Sequence, residues 1–235
     1  MKKKRLRLPE NVTYLCIEGV IGVGKTTLSQ LLAEEFNARI VLEYAEENPF
    51  LSDFYQDRSS LAFQTQLWFL LSRYRQLTET SVQQDLFHAC TVSDYMFAKD
   101  RIFATVNLDE NELALYNTIA GLLEREIPSP DFVVYLQAST DVLLERIEKR
   151  SRSFEHNMDR RYIETLSQAY NHFFFHYTRT PLLIINTNDI DFVNNRSDFE
   201  EIVEQICQTR AGTNYYHPLG SGSGGKNGDK KFEDR

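Results

Sequence analysis

Residues 19–26 read GVIGVGKT, and Thr27 follows. The spacing G-x-x-x-x-G-K-T is that of a phosphate-binding loop, provided that a strand precedes it and a helix follows it. Both conditions hold. Residues 13–17 (TYLCI) are a short strand-like run. Residues 25–36 (KTTLSQLLAEEF) carry Leu28, Leu31, Leu32 and Phe36 on one helical face. Gly19, Gly22 and Gly24 allow backbone N–H groups to wrap phosphate oxygens, and the following helix presents its positive end. Lys25 is placed to reach the β- and γ-phosphates of a nucleoside triphosphate, and the Thr26 hydroxyl to meet Mg²⁺. Of the 10 glycines, six lie at or after Gly212; outside the loop the body holds only Gly121, for which the sequence offers no reason.

Working outward, further strand-like runs cover residues 39–42, 89–93, 131–136 and 182–185. Helical patterns cover 60–84, 95–106, 110–126, 140–150, 161–177 and 197–209. Strands of four to six residues alternating with helices predict an α/β fold, a five-stranded parallel sheet with helices on both faces. Residues 1–11 read as a basic end and 12–211 as one domain. The stretch 212–235, rich in Gly, Ser and charge, reads as a disordered tail. Sheets of this kind bind ligands at the carboxyl ends of their strands. The polar residues there are the loop itself, Glu43, Asp94 and the stretch after Leu136.

The chain has 235 residues and a net charge of −8, although residues 1–7 are strongly basic. An acidic body opposes broad binding to nucleic-acid backbone, so no nucleic-acid partner is expected. No apolar run approaches the length of a membrane span. The 3 cysteines cannot all pair, and Cys16 and Cys90 sit in apolar runs, which fits free thiols in a reducing cytoplasm.

A phosphate loop of this kind needs an acid at the end of a neighbouring strand to complete the metal site. Asp94 fits, with a helix N-cap as its other reading. The second question is the acceptor. Residues 43–53 (EYAEENPFLSD) hold four acids and no Lys or Arg. Clustered carboxylates oppose a second phosphate but can orient a hydroxyl and take its proton, so Glu43 favours a neutral alcohol. Glu46 and Glu47 read as an exposed acidic loop. Gln66 and Arg73 lie two turns apart on a face shared with Phe63, Leu67, Leu70 and Tyr74. They could read the edge of a nucleobase, or form a solvent-facing stripe. Arg146, Arg150 and Arg152 could neutralise a transferring phosphate, while pairing with Glu145 and Glu148 on a helix surface competes for the first two.

Six segments together resemble the deoxynucleoside kinases, in particular the bacterial deoxyadenosine/deoxyguanosine kinase branch. They are GVIGVGKTT, LEYAEENPFLSDFY (42–55), FQTQLWFLLSRYRQ (63–76), SDYMFAKDRIFA (93–104), PDFVVYLQAS (130–139) and RIEKRSRSFEHNMDRRYIETL (146–166). The resemblance covers about residues 12–207. It implies a P-loop kinase fold with an arginine-rich lid, a homodimer packed through helices, and transfer of the ATP γ-phosphate to a deoxynucleoside 5′-hydroxyl in nucleotide salvage. On the matching positions it implies a general base at Glu43, a base-reading glutamine at Gln66, and a base-contacting pair at Arg73 and Asp100. It also implies lid arginines at Arg146, Arg150 and Arg152, a lid acid at Glu155, and a sugar-hydroxyl contact at Tyr55. The retained Arg73/Asp100 pair favours deoxyadenosine, then deoxyguanosine or deoxycytidine. One departure stands out. Many members carry Glu-Arg-Ser after the third strand, whereas this chain reads Asp94-Tyr95-Met96, so the arginine has no counterpart unless Lys99 or Arg101 substitutes. A monophosphate kinase resembling thymidylate kinase, and a nucleotide-binding subunit without catalysis, are the alternatives.

Overall fold

Strand β1 (Tyr14–Gly19) ends on the first glycine of the loop and pairs with β3 (Thr91–Ser93) on one side and β4 (Phe132–Gln137) on the other. The structure is a computed structural model and describes residues 7–82, 87–152, 155 and 158–218. The sheet is completed by β2 (Arg39–Val41), β5 (Leu182–Asn186) and β6 (Thr213–Tyr216), in the order β2-β3-β1-β4-β5-β6. Every pairing is parallel, with Cys16 opposite both Ser93 and Val133. Both faces of the inner strands are covered. For that reason β4 and β5 read as nearly unbroken apolar runs and β1 as one up to Glu18, and Leu15, Ile17, Val133, Val134, Leu136 and Ile185 have no exposed surface.

Eight helices flank the sheet among the described residues: α1 (Lys25–Phe36), α2 (Leu51–Gln56), α3 (Arg58–Val82), α4 (Lys99–Asn107), α5 (Glu110–Leu123), α6 (Thr140–Arg150), α7 (Arg160–Phe175) and α8 (Arg196–Gln208). Side chains cap most of the later ones. Asp109 and Glu112 form a reciprocal box at α5, and Ser139, Asp159 and Asn195 each accept an N–H in the first turn of α6, α7 and α8. No side chain caps α1. Its first N–H groups are therefore open to an anion. Gly121 of α5 meets nothing within 4 Å, and nothing in the structure explains it.

Two expectations need correction. The sheet has six strands, not five: Thr213–Tyr216, expected to lie in the tail, pairs in parallel with β5, Leu182 opposite Thr213. Its alternating exposure is that of a half-covered edge strand, and TNYY lacks the aliphatic run that marked the others. Tyr216 fixes it by donating a hydrogen bond to Glu201, 2.8 Å. Residues 1–6 of the basic end and 219–235 of the tail lie outside the described residues. The second correction concerns residues 95–98, which are not helical. The Met96 N–H is held by the buried carboxylate of Glu18 at 2.8 Å, and α4 starts only at Lys99. No helix among the described residues is long and apolar enough to cross a membrane.

Candidate active site

The loop between β1 and α1 depends on backbone that only glycine adopts without strain. Gly22 has φ of 86°, and a Cβ there would lie 2.8 Å from the Leu143 carbonyl oxygen of α6. Gly24 has φ of 104°, and a Cβ would meet the Phe192 ring at 2.8 Å. Lys25 leaves the first turn of α1 and folds back, its ammonium donating to the Val20 carbonyl at 3.1 Å. Burial, and the ammonium of Lys99 nearby, push Lys25 down to about 8, although Glu18, Glu43 and Asp94 pull the other way. Thr26 donates its hydroxyl to Asp94 at 2.6 Å.

Asp94 is not a helix cap. Its second oxygen accepts the Glu43 N–H at 2.8 Å, so it joins the loop to the end of β2. Burial, with Glu43 beside it, raises its carboxyl above the usual range. Thr26 and Asp94 fit Mg²⁺, which keeps most of its waters and takes only one or two protein oxygens beside substrate phosphates.

A cleft of about 600 Å³ opens from the loop toward Arg146, Asn188 and Phe192. The three arginines expected there part company. Arg146 is tied down: its guanidinium donates to the Thr187 hydroxyl (3.0 Å) and to the carbonyls of Thr187 (2.7 Å) and Val23 (3.3 Å), bracing loop against sheet. Arg150 pairs with the buried Glu155, and Arg152 with the exposed Glu46 at 3.2 Å. Arg146 and Arg150 thus take other partners than Glu145 and Glu148, the helix-surface pairing that the sequence also allowed for them. Residues 153, 154, 156 and 157 of the expected lid lie outside the described residues.

Next to the loop is a second cavity of about 340 Å³, which Glu43, Gln66, Arg73 and Lys99 help to line. Asn48 ties the 43–50 segment to α3 by donating to the Thr65 carbonyl (3.2 Å). Gln66 and Arg73 are 2% and 3% exposed, which rules out the solvent-facing stripe. Arg73 donates Nε to Glu43 Oε1 at 2.8 Å and forks onto Asp100. The other oxygen of Asp100 accepts the Tyr116 hydroxyl at 2.7 Å, and Gln66 donates to the Asp100 carbonyl at 3.3 Å. Lys99 donates to Glu43 Oε2 at 2.6 Å. Burial opposes ionisation of Glu43, but the Arg73 and Lys99 cations hold its carboxyl well below the usual carboxylate range. Tyr55 lies edge-on to Tyr162 at 6.4 Å, and burial raises its phenol, with Tyr162 and Glu155 adding to the shift. Glu46 and Glu47 are exposed, as expected.

Sequence reasoning missed Glu18. It is fully buried, grips the Gly19 N–H (3.1 Å) and Met96 N–H (2.8 Å), and burial raises its carboxyl. Its signal was a lone acid closing an apolar strand. The loop at 188–194 was also missed, although it follows a strand end. Arg101, one of two candidates for the absent arginine, points outward and pairs with Glu124 at 3.1 Å.

The geometry thus sets a glycine-built loop at an uncapped helix start beside a cavity lined by a carboxylate that two cations hold. Comparison with known proteins gives the family. The family model for deoxynucleoside kinase matches residues 15–210. A deoxyguanosine kinase of Bacillus subtilis is 36% identical over 197 residues, covering 82% of this chain and 95% of the relative. A deoxyadenosine/deoxycytidine kinase of the same organism is 30% identical over 214 residues, covering 87% and 95%. Among solved structures, a deoxyadenosine kinase from M. mycoides with bound dATP superposes with a TM-score of 0.70 at 26% identity, covering 82% of this chain and 98% of the other. An apolar-stranded sheet, a glycine loop feeding α1 and a match spanning nearly the whole described body lead to one conclusion: the chain is a kinase and belongs to the deoxynucleoside kinase family.

Proposed function

We propose that the chain transfers the γ-phosphate of ATP, with Mg²⁺, to the 5′-hydroxyl of a purine deoxynucleoside. The observation that carries this reading is Glu43. An ionised carboxylate lies where the acceptor cavity meets the loop, held by Arg73 and Lys99 and fixed through its backbone to Asp94. Gly19, Gly22, Gly24, Lys25, Thr26 and Thr27 hold the donor phosphates. Thr26 and Asp94 hold Mg²⁺, which offsets phosphate charge. Glu43 orients the hydroxyl and accepts its proton as the new O–P bond forms. Arg150 and Arg152 face the transferring group from the lid, while Arg146 positions the loop.

In the acceptor cavity Gln66 presents an amide to the base edge, the pattern that suits adenine. Arg73 and Asp100 set the far end, and Tyr55 with Glu155 meets the sugar. Deoxyadenosine is the first expectation and deoxyguanosine the next, since a deoxyguanosine kinase is among the similar relatives. Five carboxylates line the cavity (Glu43, Glu46, Glu47, Asp94 and Glu155) and five cations line it too, so it is the hydroxyl-orienting Glu43, and not the charge balance, that favours a nucleoside over its monophosphate. A panel of the four deoxynucleosides plus dAMP and dTMP, with ATP and Mg²⁺ and ADP release as readout, tests this. Fastest turnover of a purine deoxynucleoside supports it; preference for thymidine or for a monophosphate overturns it.

The protein is proposed to act as a homodimer without nucleic-acid partners, in the cytoplasm. Leu71 of α3 and Leu115 and Leu122 of α5 are half-exposed or more on helices that touch each other, an apolar face that a second copy would cover. Light scattering after size exclusion would report twice the chain mass; a monomer at micromolar concentration overturns it.

A further inference from the structure

One carboxylate, Glu43, holds two cations of different design. Arg73 is committed. Its guanidinium also grips Asp100, lies 4.9 Å from the centre of the Phe69 ring, and is buried within α3 and its neighbours. Lys99 is a point charge on a flexible stem. Its stem starts the first turn of α4, its ammonium is over the Phe103 ring at 5.8 Å, and it is 3% exposed. Among the described residues the hydrogen-bond partner of that ammonium is Glu43 Oε2, at 2.6 Å. An ammonium has three N–H donors, so two are left for other acceptors.

Its position defines what those acceptors are. Its hydrogen bond to Glu43 sets it against the carboxylate proposed to orient the acceptor, and the cavity wall it shares reaches the loop proposed to hold donor phosphates. It lines the acceptor cavity together with Lys25, Thr26 and Asp94. Arg101, the other cation near this strand end, is turned away to Glu124. A buried ammonium with spare donors at the junction of two phosphate-handling elements is placed to meet charge that develops in transfer.

We propose that Lys99 is a catalytic residue, contacting the phosphoryl oxygens as the group passes from donor to acceptor. This rests on the proposed role of Glu43. In the step, the bond from the terminal phosphorus to the bridging oxygen of ATP breaks and a bond from that phosphorus to the 5′-oxygen forms. The hydroxyl proton goes to Glu43, ADP leaves, and Lys99 keeps its own proton throughout. Lys99 thus supplies a cation near the strand end where Tyr95, four residues before it, stands in place of the arginine of the resembling kinases.

The test compares Lys99→Met, Lys99→Arg and Glu43→Gln with the parent, using the deoxynucleoside that the parent turns over fastest. Lys99→Met is expected to lose kcat on the order of 100-fold, as when one preorganised donor is removed from a transition state. Its KM for deoxynucleoside and its ATP affinity should stay within about threefold, because the contact belongs to the transition state. Binding of ADP with aluminium fluoride and deoxynucleoside, which mimics that state, should weaken by a factor similar to the kcat loss, while binding of ADP and deoxynucleoside alone does not. Lys99→Arg should recover most of the rate. A Lys99→Met kcat within about threefold of the parent, or a loss confined to deoxynucleoside KM, overturns the proposal. Glu43→Gln separates the two readings: if it alone is crippled, Lys99 is wrong and Glu43 stands; if it turns over normally, the Glu43 reading itself fails. Should Lys99→Met not fold, Lys99→Gln, which keeps a donor toward Glu43, is read by the same criteria.

Discussion

The donor half and the acceptor half of the cleft are built from different materials. On the proposed donor side the groups open to phosphate are main-chain N–H groups, freed by glycine geometry at Gly22 and Gly24 and by a helix that no side chain caps. On the proposed acceptor side the cavity is instead set by buried charged side chains from α3, α4 and the segment after β2, gathered into one network around Glu43 and Asp100. Backbone binds what all nucleotides share, their phosphates; side chains distinguish what differs, the acceptor and its base. The seam between them is Asp94, which touches Thr26 on one side and Glu43 on the other.

If the halves are separable, Glu43→Gln should break chemistry and spare the donor site. Loss of general-base action lowers kcat by about 10³-fold, within the range such groups contribute. ATP affinity, read by calorimetry, should be unchanged. Parallel loss of ATP binding would mean that the seam transmits the change and the halves are one unit. The next largest effect concerns stability. Arg73→Met leaves Asp100 as an uncompensated buried carboxylate and Glu43 with Lys99 as its cation, a change that costs about 3–5 kcal/mol. Urea unfolding should show it, and Asp100→Asn together with Arg73→Met should cost less than Arg73→Met alone.

The converse test is on the donor side. Gly22→Ala forces a Cβ to within 2.8 Å of the Leu143 carbonyl oxygen at a φ of 86°. Strain of about 1–3 kcal/mol in the loop should weaken ATP binding by roughly 10- to 100-fold. Deoxynucleoside binding should persist. Glu43→Gln and Gly22→Ala would then dissociate the two sites in opposite directions.

The same contrast explains what the sequence reveals. Donor-site chemistry is contiguous, eight residues whose spacing is itself the geometry. The inner strands β1, β4 and β5 are legible for a similar local reason, since burial on both faces favours apolar runs. Edge strand β6 is polar and half-exposed, so it has no such signature and Gly212 made it look like a linker. The acceptor site is assembled across distance. Glu43, Arg73 and Asp100 could be named individually, yet nothing in their spacing shows that Lys99 turns inward and Arg101 outward, only two residues apart on α4. Arg146 shows the opposite limit. Its residue type suited a mobile phosphate contact, but the carbonyls that tie it down come from residues 23, 187 and 190, which no local pattern links.

The smallest expected effect lies where the halves meet at the surface. Arg152 pairs with Glu46 at 3.2 Å, with side chains 33% and 67% exposed. Such a pair is screened by water and salt and contributes below about 1 kcal/mol. Glu46→Gln should therefore leave the unfolding midpoint almost unmoved. Its kinetic consequence is the informative part. If Arg152 leaves Glu46 to face the transferring phosphate, removing Glu46 takes away a competitor for the arginine, and kcat should hold or rise slightly. If the pair instead holds the lid in its working position, kcat falls, and added salt lowers the parent's kcat toward that of the variant. A salt titration of both proteins distinguishes these outcomes, because screening acts on the exposed Arg152–Glu46 pair and leaves the buried Lys99–Glu43 pair largely untouched.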